Sequence, residues 1–256
     1  MKTKIRKNFL DDWYLDDQKK QQIDSIEYGP IITERWKNFS ILLDKSLRDY
    51  KIKSPVIKIL DAGCGDGNNI NFLVDYFSNK KLKIKITALD YNEIRLKKIP
   101  RQKNIYVEQG SLLHINHPNE KFDVILCSHV IEHIEEPVQV INELKRVLHK
   151  KGHMIISVPN EGCFLAQLRN RVFQRKILKS TDHKHFFTAK TFLSIAENSG
   201  LELKYKILFE GFFFPHSGID RRLRKFIFWR KLMNSCSKYF SSQCGGITLL
   251  FKTNTK

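Results

Sequence analysis

Val56-Ile57-Lys58-Ile59-Leu60-Asp61-Ala62-Gly63-Cys64-Gly65-Asp66-Gly67 is the stretch whose reading decides the fold. A short apolar, β-branched run from Val56 to Leu60 stops at Asp61-Ala62-Gly63, and Ile70, Leu73, Val74 and Phe77 then recur at helical spacing. Strand, glycine turn and helix therefore follow in order. Glycines at such a turn let the backbone come close to a ligand, and in open parallel sheets ligands sit at the carboxyl ends of the strands. The spacing is selective: a dinucleotide fingerprint needs glycine at its first, third and sixth positions, and the sixth position counted from Gly63 is Asn68.

The same alternation recurs downstream. Strand-like segments near 83–89, 104–108, 122–127 and 153–158 are interleaved with helical patterns, clearest in Val140, Ile141, Leu144, Val147 and Leu148. Repeated βα units predict an α/β fold with a mostly parallel sheet and helices on both faces. Upstream, Trp36, Phe39, Leu43 and Leu47 predict a helix over 33–50 behind the breaker pair Gly29-Pro30, so residues 1–50 read as a helical extension of a main domain at 51–256. Beyond Pro159 a basic stretch, Phe164 to Leu178, could be helical. A helix is expected from Thr188 to a stop at Gly200, then a strand over Leu201, Leu203, Tyr205, Ile207 and Phe209, and a last strand at Ile247 to Lys252. The segment 218–240, rich in Arg, Lys and aromatics, reads as an insertion, since no repeat and no Pro- or Ser-rich linker separates it as a domain.

At 256 residues with 41% hydrophobic and 28% charged side chains, the chain can bury one substantial core. No apolar run approaches the roughly 20 residues that span a bilayer. The start MKTKIRKNFLDDWYLDD lacks a secretory apolar region, which predicts a cytoplasmic protein. The five cysteines form no Cys-x-x-Cys pair, so reduced thiols are expected, with neither a disulfide framework nor a metal site. The formal charge of +18 favours acidic partners, although the cations are spread along the chain and Lys dominates Arg.

The octapeptide Leu60 to Gly67 resembles the glycine-rich motif of class I S-adenosylmethionine-dependent methyltransferases. Asp90 lies twenty-three positions past Gly67, at the end of the run Ile84 to Leu89. An acidic side chain there can accept hydrogen bonds from both ribose hydroxyls. Gly110-Ser111-Leu112 stands where such enzymes contact adenine, with Ser in place of the Asp that many carry. Phe122 to His133 looks like the fourth strand and following loop of the small-molecule branch, which includes quinone-biosynthesis O-methyltransferases. A Leu-Glu-His-like tripeptide recurs in that branch, and here it reads Ile131-Glu132-His133. Lys151 to Asn160 resembles that branch's turn and fifth strand, and Asp182-His183-Lys184-His185-Phe186-Phe187-Thr188 resembles its His-x-x-Phe-Phe-Thr signature, with His183 in the His position.

The resemblance covers about residues 55–210 and implies a Rossmann-like sheet whose last strand is antiparallel. It implies S-adenosylmethionine as cofactor. Asp61 would lie near the methionine amino group, Gly63, Cys64, Gly65 and Gly67 would form the turn beneath it, and Asp90 would bind the ribose. Tyr91, Ser111 and Leu112 would adjoin the adenine, and Ser128 would complete the set at the end of the fourth strand.

A sulfonium methyl already has a good leaving group, so the protein must mainly hold an acceptor in line, about 3 Å away. A general base matters most for a hydroxyl acceptor, and histidine suits that role near neutral pH. His133 is the first candidate, then His183 and His185, against readings in which His133 orders its loop and the later pair caps a surface turn. Cys127 as a nucleophile is disfavoured, because no proline precedes it and a strand should bury it. The expected acceptor is a small molecule, glycan or lipid-linked compound methylated at oxygen. RNA methylation is the alternative, although Cys127-Ser128-His129-Val130 replaces the Asn/Asp-Pro-Pro-aromatic motif of base-amino enzymes. A non-enzymatic cofactor- or lipid-binding module is a third reading. Ile219, Leu223, Phe226 and Ile227 can share one helical face while Arg221, Arg222, Arg224, Lys225, Arg230 and Lys231 supply cations. This predicts a partly helical cap over the acceptor site with peripheral contact to an anionic membrane face; a basic solvated helix packed on the sheet is the bland alternative.

Overall fold

A computed structural model describes residues 29–49, 55–176 and 181–254. Most of the expected extension at 1–50 lies outside the described residues, as do the last residues of the basic stretch ending at Leu178.

The chain enters on helix α1 (Gly29–Asp49) and alternates through β1 (Ile57–Ala62), α2 (Asn68–Asn79), β2 (Ile84–Asp90), the short α3 (Glu93–Leu96), β3 (Ile105–Gln109) and β4 (Phe122–Ser128). A 3₁₀ turn (Ile131–His133) leads to α4 (Pro137–Val147), β5 (Leu148–Pro159), α5 (Phe164–Leu168) with a π-turn at Arg169–Phe173, and α6 (Ala189–Asn198). The remaining elements are β6 (Leu201–Leu203), β7 (Leu208–Glu210), α7 (Ser217–Leu223), α8 (Ile227–Tyr239), a 3₁₀ turn (Ser241–Gln243) and β8 (Gly246–Thr253). The sheet runs β3-β2-β1-β4-β5-β8-β6, with β7 also on β8. Strands β1 to β5 pair in parallel, and β8 runs antiparallel to β5, β6 and β7.

Burial on both faces explains why the central strands β1, β2, β4, β5 and β8 read as apolar runs rather than as a strict alternation, while β3 at the edge is half exposed. Ile59, Ile86, Val124, Leu126, Ile155 and Leu250 pack with Phe39, Leu42 and Leu43 of α1 and Ile70, Leu73 and Phe77 of α2. Their chain neighbours Leu60, Ile125, Cys127, Ile156, Leu249 and Phe251 turn to the other face, against Val140, Ile141, Leu144 and Val147 of α4 and Phe192 and Ala196 of α6. The period of two along each strand thus meets the 3.6 period of helices above and below. At about 1.5 to 3 kcal/mol for each fully buried Leu or Phe, the three α1 side chains dominate the docking of that helix.

Four boundaries differ from the sequence reading. Gly29-Pro30 does not precede α1 but forms its first turn, where proline loses no hydrogen bond. The strand expected over Leu201 to Phe209 is split into β6 and β7, which lie along one edge of β8, from Leu201↔Thr253 to Glu210↔Gly246. The turn expected at Lys151-Gly152 is absorbed into β5, whose register against β4 shifts between Phe122 and Val124. The basic segment is two helices, broken between Leu223 and Ile227. The helix expected from Thr188 to a stop at Gly200 is α6: Thr188 caps it, its hydroxyl accepting from the Thr191 N–H at 3.1 Å, and Gly200 beyond the helix has φ +80°.

Candidate functional site

The carboxyl ends of β1, β2 and β4 converge on the glycine turn. The N–H groups of Gly63 and Cys64 donate to the Leu89 carbonyl at 2.7 and 3.0 Å, tying the turn to the end of β2. Gly63, Gly65 and Gly67 all take positive φ, +74°, +56° and +86°. A Cβ on Gly63 would fall on the Val130 side chain and one on Gly65 on the Arg95 guanidinium, so no larger residue fits either position without displacing its neighbour.

Two carboxylates flank this turn. Asp90 is buried; its Oδ2 accepts from the Gly65 N–H at 2.8 Å and its Oδ1 from the Asn92 N–H at 2.9 Å. Asp61 is 1% exposed and neither carboxylate oxygen has a hydrogen-bond partner. Burial, and then the neighbouring Asp90 charge, push its carboxyl up to about 7. A buried, unpartnered carboxylate is costly on its own, and it fits a cationic amine such as that of an amino-acid moiety. The positive-φ turn and the orphaned acid together fit S-adenosylmethionine, with its ammonium group at Asp61.

The remaining expected cofactor residues fall around the same turn. Tyr91 follows Asp90 with its ring largely exposed. Gly110 N–H donates to the Asp90 carbonyl at 3.0 Å, which brings exposed Ser111 and buried Leu112 beside it. Ser111 Oγ accepts from the Leu113 N–H at 3.1 Å. Ser128 ends β4, paired with Ser157 of β5. Cys64 and Cys127 are buried and their thiols are raised well above the usual range, mainly by burial, so neither is a nucleophile.

His133 and His183, fifty positions apart in sequence, come together with ring centroids 4.7 Å apart. The Lys184 and His185 N–H groups donate to the Glu132 carbonyl at 2.7 and 3.1 Å, clamping the histidine loop onto the 3₁₀ turn after β4. Each imidazole is backed by an acid: His183 Nδ1 lies 2.7 Å from Glu161 Oε2, and His133 Nδ1 lies 3.1 Å from Asp182 Oδ2. His133 holds the Asp182 carboxyl below its usual range. At Glu161 burial works upward, but His183 and Arg169 outweigh it and the carboxyl is lowered. His185 turns away from the pair, stacking on Phe187 with Nε2 3.3 Å from the Glu135 carbonyl.

Three participants are not evident from sequence pattern. Glu132 is fully buried with both carboxylate oxygens unpartnered, 3.8 Å from His133 Nε2. His129 takes φ +54° after β4 and stands between Glu132 and Glu210, 3.6 Å from each. Glu161 reaches His183 from the loop after β5. The tripeptide containing Glu132 was the one available signal.

A family model described as "Methyltransferase domain" matches residues 37–206. A protein of Mycolicibacterium smegmatis assigned as an S-adenosylmethionine-dependent methyltransferase is 29% identical over 107 residues, 41% of this chain and 39% of that one. The ubiquinone biosynthesis O-methyltransferase of Aliivibrio fischeri is 24% identical over 155 residues, 57% of this chain and 64% of the other. These matches span less than two thirds of either relative. A Galdieria sulphuraria structure assigned as a sarcosine dimethylglycine methyltransferase superposes with a TM-score of 0.60 at 20% identity, covering 87% of this chain and 86% of that one.

Proposed function

Since the chain belongs to the S-adenosylmethionine-dependent methyltransferases, we propose that it methylates an oxygen of a small-molecule, glycan or lipid-linked acceptor received at the His133–His183 cluster. The cofactor supplies a methyl group already activated on a sulfonium, so the protein's task is largely positioning. Asp61 carries the charge for the methionine amine and Asp90 the acceptors for the ribose; Gly63, Cys64, Gly65 and Gly67 let the backbone approach. Tyr91, Ser111, Leu112 and Ser128 complete the cofactor's surroundings. Removing the acceptor's hydroxyl proton falls to the cluster, with His133 nearest the end of β4 and His183 beside it.

The observation that carries this reading is the meeting of two acid-backed imidazoles at the carboxyl end of the sheet. Release of S-adenosylhomocysteine, measured against pools of glycans, quinones, lipids and RNA, tests it. The expected result is turnover with a hydroxylated small molecule or lipid. His133→Ala should lose about 10² to 10⁴ in rate while cofactor affinity is retained. Turnover on RNA alone, or an unchanged His133→Ala rate, would refute the assignment.

A lipid-linked acceptor is favoured by one surface. Phe226, Ile227, Phe228, Tyr239 and Phe240 are exposed beside exposed Arg222, Lys225, Arg230 and Lys231. Arg224 is committed to Asp220 by an ion pair of 2.6 Å, which removes it from the expected set of cations. Among the described residues no helix is long and apolar enough to cross a membrane, and this exposed surface is suited to peripheral contact. Each cation near an anionic leaflet contributes about 1 kcal/mol. Cosedimentation with anionic but not neutral vesicles is the expected outcome, and a steep salt-dependent retention of RNA without vesicle binding would assign the surface to nucleic acid instead.

A further inference from the structure

Glu132, His133 and His183 each offer one ligand atom, and these atoms all lie within 4.8 Å of one another. We propose that they form a divalent-cation site, suited to zinc or manganese, that holds an oxygen of the methyl acceptor. The inference rests on the methyl-transfer reading and changes how the acceptor is activated.

Three features of the cluster point to a cation rather than to a free base. Glu132 is fully buried, yet neither carboxylate oxygen has a hydrogen-bond partner. Lys184, whose backbone N–H donates to the Glu132 carbonyl, does not answer it with its side chain, since its ammonium group pairs with Glu135 at 3.3 Å. Glu132 Oε1 has imidazole nitrogens nearby, His129 Nδ1 at 3.6 Å and His133 Nε2 at 3.8 Å, both beyond hydrogen-bond distance, and a buried carboxylate so placed favours the entry of a positive charge beside it.

The imidazoles are prepared in the way metal-bound histidines are. Glu161 stands 2.7 Å from His183 Nδ1 and Asp182 stands 3.1 Å from His133 Nδ1. An acid on Nδ1 fixes the ring and leaves the Nε2 lone pair for the metal. His133 Nε2 points back toward Glu132, 3.8 Å from Oε1. A zinc-sized ion binds such nitrogen and oxygen ligands at about 2.0 to 2.2 Å, so the three atoms need to draw in by less than about 1 Å each.

The donor set selects among cations. Two imidazoles and one carboxylate suit borderline transition metals, whereas magnesium prefers oxygen ligands and keeps its waters. Three protein ligands also leave a coordination position open, as catalytic rather than structural sites do. His133 and His183 are 33% and 18% exposed, so a ligand can reach the cluster from solvent. An acceptor hydroxyl entering there would lose its proton to solvent at a lower pH, because the cation stabilises the oxyanion. The ion would lower the acceptor's pKa, so no strong general base would be needed and the histidines would serve as ligands.

Equilibrium dialysis of the chelator-stripped full chain against zinc, manganese or magnesium, followed by elemental analysis, tests the site. The parent should retain about one equivalent of zinc or manganese, and the His133→Ala/His183→Ala double variant below about a tenth. Cobalt substitution should give visible ligand-field bands in the parent alone. Glu132→Gln supplies a second readout: the metal-free variant should melt above the metal-free parent, and zinc should raise the parent's Tm but not the variant's. Calorimetric binding of S-adenosylmethionine reports on folding and on the methyltransferase reading independently, and should be unchanged by chelation. Retention of less than about a tenth of an equivalent by the parent, or parent-like retention by the variants, would overturn the proposal. Metal uptake without any methyl transfer would leave the site standing and sink the acceptor assignment.

Discussion

Arg35 in α1 and Glu210 at the end of β7 are 175 positions apart, and Arg35 Nε donates to Glu210 Oε2 at 2.8 Å. Glu210 also accepts from the Ser157 hydroxyl at 2.9 Å, so one buried carboxylate joins the first described helix, the parallel half of the sheet and its antiparallel edge. Although burial works against its charge, Arg35 and then His129 hold it below the usual carboxylate range. Removing one partner of a buried pair typically costs about 3 to 5 kcal/mol because the other charge stays behind. Arg35→Met should therefore lower stability by about that amount in denaturant titrations, and adding Glu210→Gln should restore part of it. Additive losses would show that the pair is not coupled.

A second expectation concerns Asp90. Its two oxygens already hold the Gly65 and Asn92 N–H groups, and on the proposed reading it also receives the ribose hydroxyls. At about 1.5 to 3 kcal/mol for a charge-assisted hydrogen bond, Asp90→Ala should weaken S-adenosylmethionine binding by at least tenfold in calorimetry. Affinity within about twofold of the parent, in a folded variant, would remove Asp90 from the ribose site.

Asp61 sets a pH dependence. Its carboxyl titrates near 7 in the cofactor-free fold, above its value of 3.8 in an unfolded chain. Between those values the folded state binds more protons than the unfolded state, so stability falls as pH rises from about 4 to about 7 and then levels off. Melting of the cofactor-free protein should show that decline, and Asp61→Asn should flatten it. Cofactor affinity should move the opposite way, rising toward pH 8 as Asp61 ionises. A parent and variant with the same pH profile would contradict the assignment.

The glycine turn can be tested against an internal control. Gly63 and Gly211 both have positive φ, +74° and +60°, so alanine at either costs about 1 to 2 kcal/mol in backbone strain. At Gly63 the added methyl also meets Val130, whereas at Gly211 nothing lies within 4 Å. Overpacking adds about 1 to 3 kcal/mol. Gly63→Ala should lower Tm clearly more than Gly211→Ala.

The parallel half of the fold was legible because its central strands β1, β2, β4 and β5 are largely buried on both faces, and β1 and β2 end in residues of recognisable chemistry, Asp61-Ala62-Gly63 and Asp90. The antiparallel edge was less so. Leu201 to Phe209 alternates smoothly in sequence, but its pairing is interrupted between Leu203 and Leu208, and the Lys204 N–H still reaches the Leu250 carbonyl at 2.8 Å. At the site, His133 and His183 could be named from their segments, while Glu132 could not be singled out. Its importance lies in having no partner, which depends on what the fold removes from around it. Glu161 and Arg35 act across 22 and 175 positions, distances at which local periodicity carries no information.

The cysteines have a practical consequence. Cys64, Cys127, Cys163 and Cys244 are buried, and burial raises each thiol, that of Cys244 to about 12, so thiolate is scarce at neutral pH and alkylation at these positions should be slow. Cys236 alone among the five is partly exposed, and it sits in α8 among the aromatic and basic side chains. A maleimide dye should therefore attach there without engineering, giving the natural chain a fluorescent reporter on the one helix whose partner is in question.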